Sequence, residues 1–207
     1  MTTEIFDITP LVSTELAVWP GDTPMTREVL LDMKDGANIT LSTLRATVHL
    51  GAHADAPSHY GTTAPSIESR SLDPYLGECQ VVTVAIDRHT RIEPHHVEVE
   101  ITAPRVLLRT GTFPDPRHFT EDFAALSPEL VRVLHAQGVK LIGIDTPSVD
   151  LFDSKDLPAH LAFLQCDIAI LEGIVLDDVD DGIYELIALP LKLDRFDASP
   201  VRAILRR

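Results

Sequence analysis

Metal-ligating residue types recur at every second position in one short segment of the chain. Between residues 49 and 59 the odd positions hold His49, Gly51, His53, Asp55, Pro57 and His59. In an extended chain alternate side chains share one face, so three imidazoles and a carboxylate would converge, with the glycine leaving room for an ion. Glycine and proline here disfavour a helix. The spacing therefore predicts a metal-binding strand that runs into a loop.

The donor atoms of this segment suit zinc or manganese, which bind imidazole nitrogen and carboxylate oxygen readily. A catalytic ion keeps one position open for water and lowers the pKa of that water toward about 7, which fits hydrolysis. A single histidine would more often cap a turn or make a hydrogen bond in the core. Four such residues in one alternating register favour the metal site instead.

Three residues elsewhere are ambiguous on the sequence alone. Trp19 is the only tryptophan, and beside Pro20 and Gly21 it either anchors a core or stacks on an aryl substrate from a loop. His160 follows a proline and could be an ordinary surface residue. Glu172 stands in an apolar run, where a charge is usually paired or bound to a metal.

The segment HLGAHADAPSH resembles the H-x-G-T-H-x-D-x-P-x-H signature of the cyclase-like metal hydrolases. The resemblance covers nearly the whole chain, through WPGD at 19–22, GIDTPSVD at 143–150, DSKDLPAH at 153–160 and ILEG at 170–173. Ala52 stands where many members of that family have threonine, a departure that removes a hydroxyl but no metal ligand.

The length of 207 residues predicts a single domain over residues 1–207, and the resemblance implies that this domain is of the α/β class. It would have a mixed, barrel-like β-sheet core with flanking helices, the swivelling β/β/α arrangement. It also implies two divalent metal ions per subunit, zinc or else manganese, and a homodimer. In the implied site, His49, His53 and Asp55 bind one ion and His160 binds the other. Asp55 and Glu172 bridge the two ions. His59 transfers protons, and Trp19 contacts the substrate.

The segments GAHADAP and WPGDTP are similar to the corresponding segments of the kynurenine formamidase branch of this family. That likeness implies hydrolysis of N-formyl-L-kynurenine to L-kynurenine and formate, a step of tryptophan degradation, with metal-activated water and His59 as general acid and base. Two alternatives stay open. One is a hydrolase of cyclic amides such as isatin, and the other is a non-catalytic metal-binding module with closed coordination.

Short apolar, β-rich runs alternate with few helical segments along the chain. Strands are predicted at residues 81–86, 105–110, 140–145, 167–175, 184–193 and 201–207. A helix is predicted at 127–137, with Ser127 as N-cap and Gly138 as the stop. Shorter helices are expected near 73–76 and 158–164. This pattern predicts a mixed α/β fold.

The chain of 207 residues carries 17 Lys plus Arg against 32 Asp plus Glu, a net charge of −15. So negative a surface repels nucleic acids and anionic membranes. The first residues lack the pattern of a signal peptide, and no apolar run approaches membrane-spanning length, so a cytoplasmic protein is expected. The acidic run at 177–181 is interpreted as a solvated turn, and no role is assigned to His89, His95, His96, His118 and His135.

Overall fold

The structure is a computed structural model that describes residues 4–207. Its strands are β1 (Ile5–Asp7), β2 (Thr26–Leu31), β3 (Leu41–Arg45), β4 (His53–Asp55), β5 (Leu76–Thr83), β6 (Arg91–Ile92), β7 (Arg105–Arg109), β8 (Ala125–Leu126), β9 (Leu141–Ile144), β10 (Ala169–Glu172), β11 (Gly182–Ile187), β12 (Ala198–Pro200) and β13 (Ile204–Arg206). The α-helices are α1 (Pro128–Ala136) and α2 (Pro158–Cys166). Short 3-10 helices cover Met33–Asp35, Pro57–His59, Ile67–Ser69, Asp73–Tyr75 and Pro94–His96.

Nine strands form one mixed sheet in the order β1-β13-β11-β5-β7-β9-β10-β4-β12. The central strands β5, β7, β9 and β10 are parallel, and the strands on either side of them pair antiparallel. Strand β1 pairs with β13, which joins the two ends of the described chain in one sheet. The predicted α/β class, with a mixed sheet and flanking helices, is confirmed, and the sheet curls into a half-barrel.

Both faces of β7, β9 and β10 are buried almost throughout, which explains why most of their residues are apolar. In β7, Val106 and Leu108 pack into one hydrophobic cluster whereas Leu107 packs into the other. Helices α1 and α2 cover the first of these clusters, to which they contribute Leu130 and Phe163. Within residues 4–207 neither helix is long and apolar enough to cross a membrane.

Most predicted elements are present with shifted ends. Strands β7 and β9 lie where they were expected, and α1 begins after Ser127, whose hydroxyl accepts a hydrogen bond from the Leu130 amide. Helix α2 is present and extends to Cys166. The strand predicted at 81–86 begins earlier, at Leu76, and those predicted at 167–175, 184–193 and 201–207 are shorter than expected. Strands β1, β2, β3, β6, β8 and β12 have no counterpart in the prediction.

Candidate metal centre

Strand β4 lies between β10 and β12 and places several candidate ligands on one face of the sheet. His53 and Asp55 are two positions apart in this strand, so their side chains share a face. Glu172 of β10 is directly opposite His53, and side chains of directly opposed residues lie on the same face. All three side chains are buried. The sheet register thus unites residues that are more than a hundred positions apart.

The predicted extended register from residue 49 to residue 59 is wrong outside β4. Gly51 has a φ of +58°, which turns the chain before the strand, and Pro57–His59 forms a 3-10 helix after it. His49 and His59 therefore reach the site from turns. The predicted role of Gly51 also changes, because a Cβ atom there would lie 3.0 Å from Pro10 and 3.1 Å from Leu16. Tight packing and a turn, not space for an ion, explain this glycine.

His160 reaches the site from the first turn of α2 and is oriented by a buried carboxylate. The N-cap position of this helix is Leu157, which offers no side-chain cap. Asp150 takes that role, because its carboxylate accepts hydrogen bonds from the amides of Ala159 and His160. The same carboxylate accepts from Nδ1 of His160 at 2.9 Å and from Arg91 at 2.7 Å. Nε2 of His160 is left to face the candidate metal centre.

Two carboxylates lie at the middle of the cluster. Asp55 Oδ1 is 3.1 Å from His49 Nδ1 and 3.5 Å from His53 Nε2, while Oδ2 is 3.5 Å from His160 Nε2. Glu172 Oε2 is 3.1 Å from His53 Nε2, and its Oε1 is 3.8 Å from His160 Nε2. Each carboxylate thus turns one oxygen toward His53 and the other toward His160.

The unsatisfied atoms of this cluster fit a divalent ion. Both Asp55 oxygens and Nε2 of His53 are buried and have no hydrogen-bond partner. Unpaired buried polar atoms are costly in free energy. Adjacent donor atoms around a tetrahedral zinc ion, with bonds of about 2.0–2.1 Å, lie about 3.3 Å apart. The separations of 3.1–3.5 Å around Asp55 match that spacing.

The carboxylates perturb the imidazoles strongly when no metal is bound. Burial lowers the pKa of His49, but Asp55 and Asp197 outweigh burial and raise it to about 9. Burial likewise lowers the pKa of His160, whereas Asp150 and Asp55 raise it to about 10. Burial raises the pKa of Asp55, yet His160 and His49 hold it well below its usual range. A metal ion must therefore displace protons at neutral pH.

The side of the cluster that carries His49 and His59 is open to solvent, unlike the side that carries His160. His59 has a side chain that is 35% exposed, and its ring centroid is 4.3 Å from that of His49. Asp197 precedes β12 and contacts both rings through one oxygen, with Oδ2 at 3.0 Å from His49 Nε2 and 3.4 Å from His59 Nδ1. Burial raises the pKa of Asp197, but its contacts with His49 and His59 lower it overall. His59 is placed to exchange protons with the cavity.

A cavity of about 520 Å³ opens onto the candidate ligands. The cavity is lined by the candidate site residues His49, His53, His59, His160 and Glu172 and by the aromatic residues Trp19, Phe113 and Phe119. Trp19 is half-buried, with its ring centroid 5.5 Å from Phe119 and 4.9 Å from Phe152. Trp19 is thus part of an aromatic wall beside the cluster.

Sequence reasoning assigned no role to Asp150 or Asp197. Asp150 had a signal in the sequence, since it ends the GIDTPSVD segment at 143–150 that carries the family resemblance. Asp197 had none, because its partner His49 is 148 positions away. The five histidines left without a role lie outside the cavity lining, and the carboxylates at 177–181 are exposed.

Comparison with known proteins agrees with this architecture. The model of the cyclase family, described as "Putative cyclase", matches residues 6–151, which is more than half of the chain. A potential metal-dependent hydrolase with cyclase activity superposes with a TM-score of 0.86 at 23% identity, covering 99% of this chain and 98% of the other. A predicted metal-dependent hydrolase from Bacillus stearothermophilus gives 0.83 at 23% identity, with 100% and 99% covered. Isatin hydrolase A from Labrenzia aggregata gives 0.84 at 20% identity, with 99% and 93% covered. The chain therefore belongs to the cyclase family and has the fold of these hydrolases.

Proposed function

We propose that this chain is a metal-dependent amide hydrolase that converts N-formyl-L-kynurenine to L-kynurenine and formate. The observation that carries the proposal is the aromatic cavity, which opens onto the ligand cluster with His59 beside it. An aryl formamide combines the two features that this cavity matches, a flat apolar ring and one reactive carbonyl group. The GAHADAP and WPGDTP segments support the formamidase branch over other members of the family.

Two divalent ions per subunit, zinc or manganese, fit the donor set. One ion would be held by His49, His53 and Asp55, the other by His160, and the Asp55 and Glu172 carboxylates would bridge them. The support is that each of these carboxylates turns one oxygen toward His53 and the other toward His160. When bound, such ions polarise the amide carbonyl and lower the pKa of water.

His59 is the residue proposed to move protons during the reaction. The amide nitrogen leaves as an aryl amine, which is a poor leaving group as an anion and so must be protonated as the bond breaks. A neutral imidazole first accepts a proton from the attacking water and then donates that proton to this nitrogen. The half-exposed position of His59 at the cavity wall suits both transfers.

Trp19 is proposed to contact the aryl ring of the substrate. Its turn is closed by a hydrogen bond from the Asp22 amide to the Trp19 carbonyl, and the Ala17 amide donates to the Pro116 carbonyl. These bonds fix the loop against the segment that carries Phe113 and Phe119. Stacked or edge-on aromatic contacts add about 0.5–1.5 kcal/mol beyond apolar burial.

The second candidate function is the opening of a cyclic amide. Structures named isatin hydrolase share the fold at 19–20% identity. The two functions use the same metal residues and differ in the substrate that the cavity accepts. The test is turnover of N-formylkynurenine, isatin and simple aryl formamides by protein with full metal occupancy. Preference for the formamides supports the proposal, and turnover of isatin alone rejects it.

A homodimer is proposed as the working form, following the family resemblance. The ribbon formed by β2 and β3 supports it, because every residue of both strands is exposed. An isolated two-stranded ribbon is only marginally stable in water. Large apolar side chains at its surface include Val29, Leu30, Leu41 and Leu44. Sedimentation analysis should give a dimer, and Leu44→Glu should shift it toward monomer; a monomeric wild type would refute this assembly.

A further inference from the structure

One carboxylate oxygen faces both a candidate metal ligand and the candidate proton carrier. Asp197 Oδ2 accepts a hydrogen bond from Nε2 of His49 at 3.0 Å and lies 3.4 Å from Nδ1 of His59. His49 directs its other nitrogen, Nδ1, toward Asp55. Asp197 is therefore outside the ligand cluster but in contact with two of the residues that the proposed reaction needs.

The backbone fixes Asp197 relative to the same strand that supplies His53 and Asp55. Its carbonyl accepts a hydrogen bond from the Ala56 amide at 2.8 Å, and the following residue, Ala198, is paired with Asp55 in the sheet. The 3-10 helix that carries His59 starts at the next residue after Ala56. The segments that carry Asp197 and His59 are thus both fixed to the end of β4.

We propose that Asp197 is a positioning residue that orients His59 for proton transfer and steadies the ring of His49. A carboxylate next to Nδ1 favours the tautomer that carries its proton there, which leaves Nε2 of His59 free to accept a proton in the cavity. The same oxygen holds Nε2–H of His49, as carboxylates commonly do behind a metal-bound histidine. The inference rests on the proposed function in one respect, the role of His59 as proton carrier.

The tautomer of His59 tests the orientation directly and needs no variant of Asp197. Zinc-loaded protein labelled with nitrogen-15 in histidine would be examined by two-bond proton–nitrogen NMR correlation, with the His59 signals assigned by their loss in His59→Ala. The expected neutral form carries its proton on Nδ1. A neutral form protonated on Nε2 overturns the proposal, whatever substrate the enzyme uses.

Asp197→Asn supplies the second test, since it keeps the shape of the side chain and removes the charge. We expect a decrease in kcat of about 10- to 100-fold with KM changed by less than about twofold, and zinc affinity about tenfold weaker. The matched control is Asp194→Asn, which removes a carboxylate that is 86% exposed and 3.9 Å from its nearest charged partner, Arg195. The control should behave as wild type.

A double-mutant cycle separates positioning from general structural damage. In a His59→Ala background Asp197→Asn should leave kcat unchanged, because the group that it orients is already absent. An equal loss of kcat in both backgrounds overturns the proposal. The proposal is also overturned if Asp197→Asn binds one ion fewer at saturating zinc, because ligand atoms of His49, His59 and Asp197 lie within 4.8 Å of one another and would then hold that ion themselves.

These measurements also distinguish the inference from the proposed substrate. If the wild type leaves N-formylkynurenine unchanged, the substrate assignment fails, while the His59 tautomer and the zinc affinities still decide the role of Asp197. If the wild type turns the substrate over but His59 carries its proton on Nε2, the substrate assignment survives and the positioning role is rejected.

Discussion

The candidate metal centre has two ends that differ in their access to solvent. At the closed end, His160 is held by Asp150, which is fully buried and accepts from two backbone amides, the imidazole and Arg91. At the open end, His49 and His59 face Asp197, whose side chain is 47% exposed and contacts the rings through a single oxygen. Each end thus pairs imidazole with carboxylate, but only the closed end satisfies the carboxylate fully with protein donors.

This difference separates two tasks within one site. A carboxylate that receives four donors in a buried position cannot move, so it fixes the direction of His160 before any ligand arrives. An imidazole that is partly exposed can exchange protons with substrate and water. We infer that Asp150 fixes a metal ligand, His160, at the closed end, and that His59 performs the proton transfer at the open end.

The largest loss of metal and activity is expected from a change at Asp55, which contacts histidines of both ends. Asp55 contacts His49 and His53 through one oxygen and His160 through the other, so Asp55→Asn removes the charge that both ions would share. Metal content should fall and activity should drop to the level of the metal-free protein, as measured by metal analysis and turnover of aryl formamides. Full metal content in this variant would refute bridging by Asp55.

Replacing one histidine at each end should produce opposite results. His59→Ala should keep its metal and lose about 10²- to 10⁴-fold in kcat, the usual contribution of a positioned acid or base. His160→Ala should lose metal, because it removes an imidazole from the cluster. His135→Ala, on the exposed surface of α1, is the matched control for both. Metal loss from His59→Ala would instead make His59 a ligand.

Removing the buried carboxylate should affect stability, unlike removing its exposed counterpart. Asp150→Ala leaves the Arg91 charge, two helix amides and an imidazole without their acceptor, and loss of one partner of a buried pair costs about 3–5 kcal/mol. Urea denaturation of the metal-free proteins would measure this loss, with Asp197→Ala expected to cost less than half as much. Equal losses of unfolding free energy in Asp150→Ala and Asp197→Ala would contradict the distinction between the closed and the open end.

The central strands and the first helix could be predicted from the sequence because the patterns that indicate them are local. Apolar runs predicted β7 and β9, and a serine followed by proline predicted the start of α1. Edge elements were harder: β12 is three residues long and lies in a segment with no alternating pattern, so only its pairing with β4 makes it a strand. The end of β10 was missed because Gly173, which has a φ of +65°, turns the chain within a run that is otherwise apolar.

The site was predictable in its residues but less so in its geometry. His53 and Asp55 do share a strand face, whereas His49 and His59 arrive through a left-handed glycine and a 3-10 helix that spacing does not reveal. The same limit applies to Gly173, whose Cβ would lie 2.2 Å from the Gly51 carbonyl oxygen. Contacts between segments far apart in the chain fix these details, and a single sequence carries no signal for them.

The last predicted effect is the pH dependence of metal affinity, which depends on the protons that His49 and His160 carry in the metal-free protein. In the metal-free protein the pKa is about 9 for His49 and about 10 for His160, so both rings are protonated at neutral pH and a metal ion must displace those protons. Each displaced proton should lower the apparent metal affinity about tenfold for every pH unit below the pKa concerned.

The apparent metal affinity should therefore fall as the pH is lowered from about 10.5 to 7, which chelator competition would measure. Stability of the metal-free protein must change in the opposite sense. Because both folded-state pKa values lie above the usual value for histidine, their stabilising contribution is complete below about pH 6.5 and is lost as the pH rises through 9 and 10. An apparent affinity for metal that stays constant over this range would show that the imidazoles are neutral before the ions bind.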